Sequence, residues 1–212
     1  MAHLDLEEQE QLDQIKHFWK QYGNLITWVL TAVLAAYASW NGWQYWQSKQ
    51  AMQASALYDE VERIARSGDL SRLERALGDM KDQYGSTTYA QQAALLAAKA
   101  YFDADRLDAA KGALAWVAEK ASDEGYRAVA RLRLSGILLE TKAYDEALKL
   151  LNESYPADFV PLVADRRGDV YLAQGKKTEA AAEYRKAYQG LEEGTEYRRL
   201  VDAKLAALGG QK

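Results

Sequence analysis

Residue types that could carry out catalysis or hold a metal are sparse in this chain. Its 212 residues include no cysteine, and the two histidines, His3 and His17, both lie near the N-terminus. Thiolate chemistry and His/Cys metal sites are therefore excluded. The carboxylates of Asp165 and Asp169 are better explained as a solvated helix face than as an acid–base pair. We predict a protein that is not an enzyme and that needs no cofactor.

The element that must position everything else is a charge-free stretch between Lys20 and Lys49. Five of the six tryptophans lie from Trp19 to Trp46, on either side of an apolar centre. About 20 apolar residues let a helix cross the bilayer core, and aromatic rings favour the headgroup depth at both ends. We predict a transmembrane helix over residues 25–46. A short acidic segment, 1–24, precedes it and a soluble domain, 47–212, follows it.

Two other interpretations of this stretch were weighed. Ala36-Tyr37-Ala38 has the small-x-small pattern of a signal-peptide cleavage site, but the preceding segment is long and carries five acidic residues against two lysines. A buried soluble helix is disfavoured because the stretch is apolar on all faces. The lysines and arginines flanking the helix are nearly balanced, so the positive-inside rule leaves the orientation open.

The soluble domain contains a repeat. Three segments align, and an alanine follows the turn of each one, at Ala110, Ala147 and Ala180. Two antiparallel helices with small residues at their crossing give a period of about 34 residues, as in tetratricopeptide repeats, and the alanines recur close to this period. An irregular helical bundle with chance alanine spacing is the alternative. The other aligned positions are small residues in the first helix (Ala98, Ser135, Gly168) and larger residues one turn later (Tyr101, Leu138, Tyr171).

Both ends of the repeat array need a cover. Ser55 to Tyr84 is predicted to form a degenerate helix pair with its turn at Ser67-Gly68-Asp69 and with Asp69 or Ser71 as the N-cap of its second helix. A final helix from Thr195 to Leu208 is predicted to cap the stack. We expect Leu200, Val201, Leu205 and Leu208 of this helix to face inward, and Arg198, Arg199, Asp202 and Lys204 to face mostly outward.

The expected fold class is therefore all-α. One N-terminal transmembrane helix is followed by a tetratricopeptide-like α-solenoid with a C-terminal capping helix. The formal net charge is −4, and most of it comes from residues 1–24, so the soluble domain is close to neutral. Nothing in this balance attracts nucleic acid, and no nucleic-acid partner is predicted.

The first helix of each repeat lines the concave face of such a solenoid, and its exposed positions are the candidates for partner binding. Only Lys99 matches a cation that would grip a C-terminal carboxylate, and Asp165 and Asp169 would repel an acidic tail. We therefore expect an extended apolar peptide or the surface of a partner protein, although the leucines and the phenylalanine are equally explained as core. The candidate groove residues are Gln92, Leu95, Lys99, Phe102, Leu132, Gly136, Leu139, Asp165, Asp169 and Leu172.

The membrane helix itself has a face of small residues. Such a face lets another transmembrane helix approach closely, although small residues are also tolerated in a simple anchor. The residues of this predicted contact face are Thr27, Thr31, Ala35, Ser39 and Gly42.

Specific motifs surround the membrane helix. Glu10-Gln11, Lys16, Phe18-Trp19 and Gly23 precede it, Gly42 to Trp46 (G-W-Q-Y-W) closes it, and Ala51 to Tyr58 leads into the repeats. With these motifs the chain resembles the ancillary SecYEG translocon subunit family of Gram-negative inner membranes.

The resemblance implies a cytoplasmic N-terminus and a periplasmic repeat domain. It implies association with Sec translocon subunits, with a membrane-anchored prolyl-isomerase-like chaperone and with unfolded secreted proteins, besides the membrane lipid around the anchor. A structural scaffold for an envelope or division complex is the alternative function, and an adaptor facing the cytosol is a third.

Overall fold

The computed structural model describes residues 6–209, and within this range the chain is helical with no strand. His3 and the first five residues of the predicted acidic segment lie outside the described range, as do the last three residues of the predicted repeat domain. The all-α fold class is confirmed. The elements are α1 (Leu6–Ser67), α2 (Leu70–Tyr84), α3 (Thr88–Asp103), α4 (Leu107–Lys120), α5 (Glu124–Glu140), α6 (Tyr144–Leu151), the 3-10 helix η1 (Ala157–Phe159), α7 (Val160–Ala173), α8 (Lys177–Gly190) and α9 (Glu196–Ala207).

The chain divides into two compact units, one ending at Gln50 and the other beginning at Ala51. In the first unit the large apolar side chains point outward: Trp28, Leu34 and Trp40 are all more than half exposed. The helix that contains them is long and apolar enough to cross a membrane, with a mean hydropathy of 1.2 over its apolar window. Such exposure is unfavourable in water but favourable in lipid, which argues against the buried-helix alternative. The boundaries of the membrane segment at residues 25 and 46 stay predictions.

The second unit contains the three repeats that the alanine spacing predicted. Repeat 1 is α3 and α4, repeat 2 is α5 and α6, and repeat 3 is α7 and α8; we call the first helix of each pair helix A and the second helix B. The predicted small residues lie at the crossings of these helices, where Ser135, Ala110 and Ala180 are fully buried. Small side chains there let the two helices of a pair approach closely enough to pack.

The three turns from helix A to helix B share one backbone design. The residue that ends the turn adopts a left-handed conformation in each repeat: Asp105 (φ 58°), Lys142 (φ 60°) and Gly175 (φ 78°). The next amide then donates to the carbonyl of the aligned helix-A residue, five positions earlier. These bonds are Arg106 N to Tyr101 O (2.8 Å), Ala143 N to Leu138 O (2.8 Å) and Lys176 N to Tyr171 O (2.9 Å). Identical turns give each pair the same geometry, as a repeat protein requires.

The turn before the first repeat confirms the predicted helix pair. Helix α1 ends at Ser67, Gly68 has a positive φ of 74°, and the side chain of Asp69 accepts a hydrogen bond from the Arg72 amide at 3.0 Å. Asp69 is therefore the N-cap, and Ser71 is not. Val61 of α1 and Leu73 and Met80 of α2 are fully buried, so this degenerate pair covers the first apolar face of the repeats.

Helix α9 covers the other end, but three of the orientations expected for it are wrong. The side chain of Arg198 is only 17% exposed, and its guanidinium lies 4.3 Å from the centre of the Tyr188 ring. Val201 and Leu205 are buried as predicted, whereas Leu200 is half exposed and Lys204 points inward to the carboxylates of α7. Residues 201, 204, 205 and 208 share one face of an α-helix, so the position of Lys204 on that face overrides the preference of its charge for solvent.

Candidate partner-binding groove

A depression of the repeat domain lies across the A helices of the three repeats. It has a volume of about 470 Å³. Its floor is apolar, built from Phe102, Ile137 and Leu139 with Leu114 of a B helix, and charged side chains surround it. The complete lining is Ala98, Lys99, Phe102, Asp103, Leu114, Arg133, Gly136, Ile137, Leu139, Glu140 and Arg166, and we call this depression the groove.

Four of the ten candidate residues from the sequence come together in the groove: Lys99, Phe102, Gly136 and Leu139. Phe102 is 39% exposed, an unusual exposure for a phenylalanine on a packed helix. An exposed aromatic ring beside a concave apolar floor is typical of a surface that a partner covers. The function of these four candidate residues in partner binding stays a prediction.

The other apolar and amide candidates do not line the groove. Leu95 is 8% exposed and belongs to the main core, and Leu132 packs, partly buried, against the core of repeat 2. Gln92 donates a hydrogen bond to the Tyr126 hydroxyl at 2.7 Å and so joins α3 to α5. Leu172, 39% exposed, is at the surface of α7.

The two candidate aspartates are occupied within the fold. Asp165 is only 2% exposed. Lys204 of α9 donates to Asp165 Oδ1 at 2.8 Å and Oδ2 at 3.0 Å, and to Asp169 Oδ1 at 2.7 Å. The Tyr197 hydroxyl donates to Asp165 Oδ2 at 2.6 Å, and the Tyr184 hydroxyl donates to Asp169 Oδ1 at 2.8 Å. Asp165 and Tyr184 are buried, Asp169 and Lys204 are partly buried, and Tyr197 lies at the exposed edge. We call these five residues the buried network, after its two buried members; it joins α7 and α8 to the capping helix.

The buried network changes the protonation behaviour of its tyrosines. Burial raises the pKa of Tyr197 above its usual value, and the hydrogen bond to Asp165 raises it further. Burial likewise raises the pKa of Tyr184, and the negative charge of Asp169 adds to this effect. Both hydroxyls therefore stay protonated and donate to the carboxylates at neutral pH, which satisfies buried acceptors that would otherwise destabilise the fold.

Sequence reasoning missed two arginines of the groove. Arg133 of α5 and Arg166 of α7 line it together with Lys99 of α3. The two arginines occupy the same aligned position, since each precedes the small residue of its helix, Ser135 or Gly168, by the same interval. The guanidinium of Arg166 lies close to Gly136, because a Cβ placed there would lie 3.8 Å from its central carbon. A search for charged residues at aligned positions, rather than for small ones alone, would have found this pair.

The charges around the groove differ in how far they are paired. Lys99 pairs with Asp103 at 2.5 Å on the same helix, and Arg166 lies 3.6 Å from Asp169. Arg133 has no ion-pair partner within residues 6–209. Across that same range, no three His, Cys, Asp or Glu side chains converge on a point where a metal could bind. The arrangement is suited to binding a polypeptide by apolar contact and charge.

The predicted contact face of the membrane helix has its hydroxyl groups satisfied locally. The hydroxyls of Thr27 and Thr31 donate to the carbonyls of Gly23 and Thr27, both at 2.8 Å, and Ser39 donates to Ala35 O at 2.8 Å. Each hydroxyl already donates to the carbonyl four positions earlier, so it is not free to donate to another helix. The face therefore offers small size rather than free donors to a neighbouring helix.

Known proteins match almost the whole length of this chain. The profile of the tetratricopeptide repeat-like domain family matches residues 16–210. A protein of Neisseria gonorrhoeae called ancillary SecYEG translocon subunit is 36% identical over 208 residues, which are 98% of this chain and 99% of that protein. The chain belongs to the ancillary SecYEG translocon subunit family. Family membership confirms the resemblance carried by the motifs around the membrane helix.

More distant members agree with this assignment. Proteins of the same name in Haemophilus influenzae and Escherichia coli are each 28% identical, over 184 and 173 residues. The matched regions cover 87% and 80% of this chain and 90% and 82% of those proteins. The profile match over residues 16–210 includes the N-terminal apolar helix as well as the repeats.

Proposed function

We propose that this protein is a non-enzymatic, membrane-anchored accessory subunit that associates with the Sec translocon. The observation that carries the proposal is the match, over 98% of the chain, to a relative named as a SecYEG subunit. The apolar N-terminal helix supports it, because a translocon lies in a membrane and a subunit needs an anchor to stay beside it. The repeat fold supports it too, since repeat proteins present extended concave surfaces for binding.

The repeat domain is the part of the protein that handles partners. We assign the groove to a segment of a periplasmic chaperone or of a newly translocated, unfolded protein. Its apolar floor of Phe102, Ile137 and Leu139 supports this assignment, because unfolded chains and chaperone surfaces both expose apolar side chains. A membrane-anchored chaperone of the prolyl-isomerase type is the partner that the family resemblance favours.

Tethering is the mechanism. The anchor, in contact with membrane lipid, holds the groove next to the channel exit, and this raises the effective concentration of the groove for an emerging chain to the millimolar range. Weak binding of the emerging chain by the groove is then sufficient for repeated capture and release. No bond is made or broken in this scheme, so it requires no catalytic residue.

The proposed orientation places residues 1–24 in the cytoplasm and the repeats in the periplasm, with the helix between them in the inner membrane of a Gram-negative cell. Replacing exposed Ser122 with cysteine tests it, since the chain has no other cysteine. In cells with a permeabilised outer membrane, an impermeant maleimide should label the full-length protein. Labelling only after lysis of the inner membrane would place the repeats in the cytosol and contradict the orientation.

Association with the channel has its own test. The full chain, tagged at its C-terminus and purified in mild detergent, should carry Sec channel subunits with it. A matched variant with the sequence of residues 25–46 shuffled keeps the composition and hydropathy of the anchor but changes its faces. Loss of the channel subunits from this variant is expected. Recovery of envelope-assembly proteins in place of Sec subunits from the unmodified chain would favour a scaffold instead.

A further inference from the structure

The groove and the depression beside it carry one basic residue on each of the four helices α1, α3, α5 and α7. Arg66 is at the end of α1, and Lys99 lies about one turn before the end of α3. Arg133 and Arg166 lie about two turns before the ends of α5 and α7. We call these four cations the basic row; it crosses the helices diagonally, as an extended chain lying in the groove would.

The basic row follows one continuous concave surface. A second depression of about 360 Å³ lies between the end of α1, the start of α2 and helix α3, and it contains Arg66 and Lys99. Lys99 and Asp103 line both this depression and the groove, so the two adjoin. Leu96 and Ala100 extend the apolar lining into the second depression. Cations thus recur along a surface with an apolar floor that crosses four helices.

The acidic residues of the groove are concentrated at one end of its helices. Asp103 and Glu140 are the last residues of α3 and α5, and they occupy the same aligned position of the first two repeats. The aligned residue of the third repeat, Ala173, carries no charge. A chain that follows the basic row across α5 and α7 therefore meets cations, while the carboxylates lie towards the edge.

Three members of the row, Arg66, Lys99 and Arg133, are available to a ligand, whereas Arg166 is paired with Asp169 of its own helix at 3.6 Å. Within residues 6–209, Lys99 and Arg66 pair only with carboxylates one turn away on their own helices, the exposed Asp103 and the partly exposed Glu62. Pairs of this kind are weak, because solvent screens them, and they exchange readily with another anion. Arg133, at the centre of the row, is exposed and has no ion-pair partner within the described residues.

The buried network reduces the repulsion that Asp165 and Asp169 would exert on an acidic ligand. Asp165 and Asp169 lie next to the last member of the row, and on charge alone they would repel carboxylates. Asp165 is buried, and Lys204 together with Arg166, which lies 3.6 Å from Asp169, balances the two negative charges. What faces the groove is the basic row together with Asp103 and Glu140.

We infer that the occupant of the groove is an extended polypeptide segment that carries both acidic and apolar side chains at short intervals. Its carboxylates pair with the basic row and its apolar side chains cover Phe102 and Leu139. This inference rests on the proposed function of the groove and adds the chemistry of its ligand. Nucleic acid is disfavoured by the net charge of −4, and a concave surface with an apolar floor does not fit the flat surface of a bilayer.

A peptide-binding experiment with the full chain tests the inference. The protein is placed in nanodiscs of zwitterionic lipid, and binding of a fluorescein-labelled peptide of repeated Glu-Leu-Ser is followed by anisotropy. The peptide is amidated at its C-terminus, so that its charge lies in the glutamates alone. A Gln-Leu-Ser peptide of equal length is the reference. We expect the glutamate peptide to bind about tenfold more tightly at low salt, with the difference shrinking as salt screens the charges.

Charge reversal at the centre of the row locates the effect. Arg133→Glu should weaken binding of the glutamate peptide about tenfold and leave the glutamine peptide unchanged, because only the former meets a like charge. Arg75→Glu is the matched control, since Arg75 is an exposed arginine of α2 and does not line the groove. Arg66→Glu should weaken binding of the glutamate peptide less than Arg133→Glu does. Such weakening shows that the ligand reaches the second depression.

Three results would overturn the inference. Equal binding of the two peptides would mean that the groove selects apolar segments without regard to charge. Absence of binding by both would exclude this ligand class. Capture of phosphatidylglycerol vesicles that Arg133→Glu abolishes, without peptide binding, would assign the basic row to anionic lipid. In each case co-purification of Sec subunits with the Arg133→Glu protein still tests the proposed function separately.

Discussion

Lys204 of the last helix donates hydrogen bonds to both carboxylate oxygens of Asp165, far away in the sequence, at 2.8 and 3.0 Å. The same ammonium group bonds Asp169 at 2.7 Å and lies 5.3 Å from the centre of the Tyr184 ring. A helix that caps an apolar stack is therefore fixed by a charge as well as by Val201 and Leu205. The charge determines its rotation, since apolar contacts alone are not directional.

Removing the cation should destabilise the repeat domain strongly. Lys204→Met keeps the length of the aliphatic stem but leaves the buried carboxylate of Asp165 without a cation, and we expect a loss of about 3 kcal/mol in the free energy of unfolding. Urea unfolding followed by circular dichroism measures it. Lys177→Met, at an exposed position of α8, should change the same free energy by less than about 0.5 kcal/mol. Similar values for the two variants would mean that the buried network contributes nothing to stability.

The close contact of Gly168 with Tyr184 predicts a size limit at the crossing of α7 and α8. A Cβ at residue 168 would overlap the fully buried Tyr184 ring, so Gly168→Ala should destabilise the domain by about 2 kcal/mol. At Gly112, in the middle of α4, no atom beyond the adjacent residues and the backbone of its own helix lies within 4 Å of the added Cβ. Gly112→Ala should therefore stabilise the domain by about 0.5–1 kcal/mol through its helix preference. Thermal unfolding of both variants checks the opposite signs.

The shared left-handed turns predict a reciprocal pair of substitutions. Lys142 adopts a φ of 60°, which is costly for a residue with a Cβ, while Gly175 adopts a φ of 78° at the aligned position without that cost. Lys142→Gly should stabilise the domain by about 0.5–1 kcal/mol, and Gly175→Lys should destabilise it by about 1 kcal/mol. Equal effects of the same sign on the urea midpoint would show that these turns are not equivalent in energy.

Alkaline pH should destabilise the repeat domain through its buried tyrosines. Burial raises the pKa of Tyr155 to about 12, against about 10 in the unfolded chain. The native state thus holds its proton where the unfolded state has lost it, and stability falls as pH rises from about 10 to about 12. Below pH 10 both states are protonated and this contribution is constant.

The variant Tyr155→Phe isolates this contribution. It removes the ionisable group, so its stability should fall less steeply over the same pH range than that of the unmodified chain. Urea midpoints at several alkaline pH values provide the comparison. Urea midpoints of the same two proteins below about pH 10, where neither state loses this proton, provide the control. A slope unaffected by Tyr155→Phe would contradict the assignment.

In the membrane helix, size rather than hydrogen bonding should determine association. The Thr31 hydroxyl is already bonded to the Thr27 carbonyl, so Thr31→Val should leave co-purification of Sec subunits unchanged. Ala35→Leu, on the same small face, should reduce recovery of these subunits several-fold by keeping helices apart. Ala36→Leu makes the same change on a different face and should have little effect. Loss of recovery with Thr31→Val but not with Ala35→Leu would reverse this conclusion.

Much of the fold followed from spacing in the sequence. The alanines at 110, 147 and 180 lie at the crossings of helix pairs as expected, because only small side chains fit where two backbones approach. Asp69 is an N-cap because its side chain can accept from an amide three residues on, which is a local property of the sequence. The candidate groove was only partly predictable. Exposed positions of helix A were expected to share one surface, yet Leu95 lies in the core and Asp165 is buried.

The sequence by itself determined the helices, the repeat period and the apolar N-terminal segment, since these depend on residues close together in the chain. Only the tertiary structure decided that Lys204 turns inward to Asp165 and that Arg133 remains exposed without an ion-pair partner in the described residues. Both outcomes depend on which distant side chains meet when helices stack. A charged side chain is buried where the packed helices provide an opposite charge, and otherwise it stays in solvent. The opposite charge comes from a residue distant in the sequence, so no local sequence pattern predicts the pair.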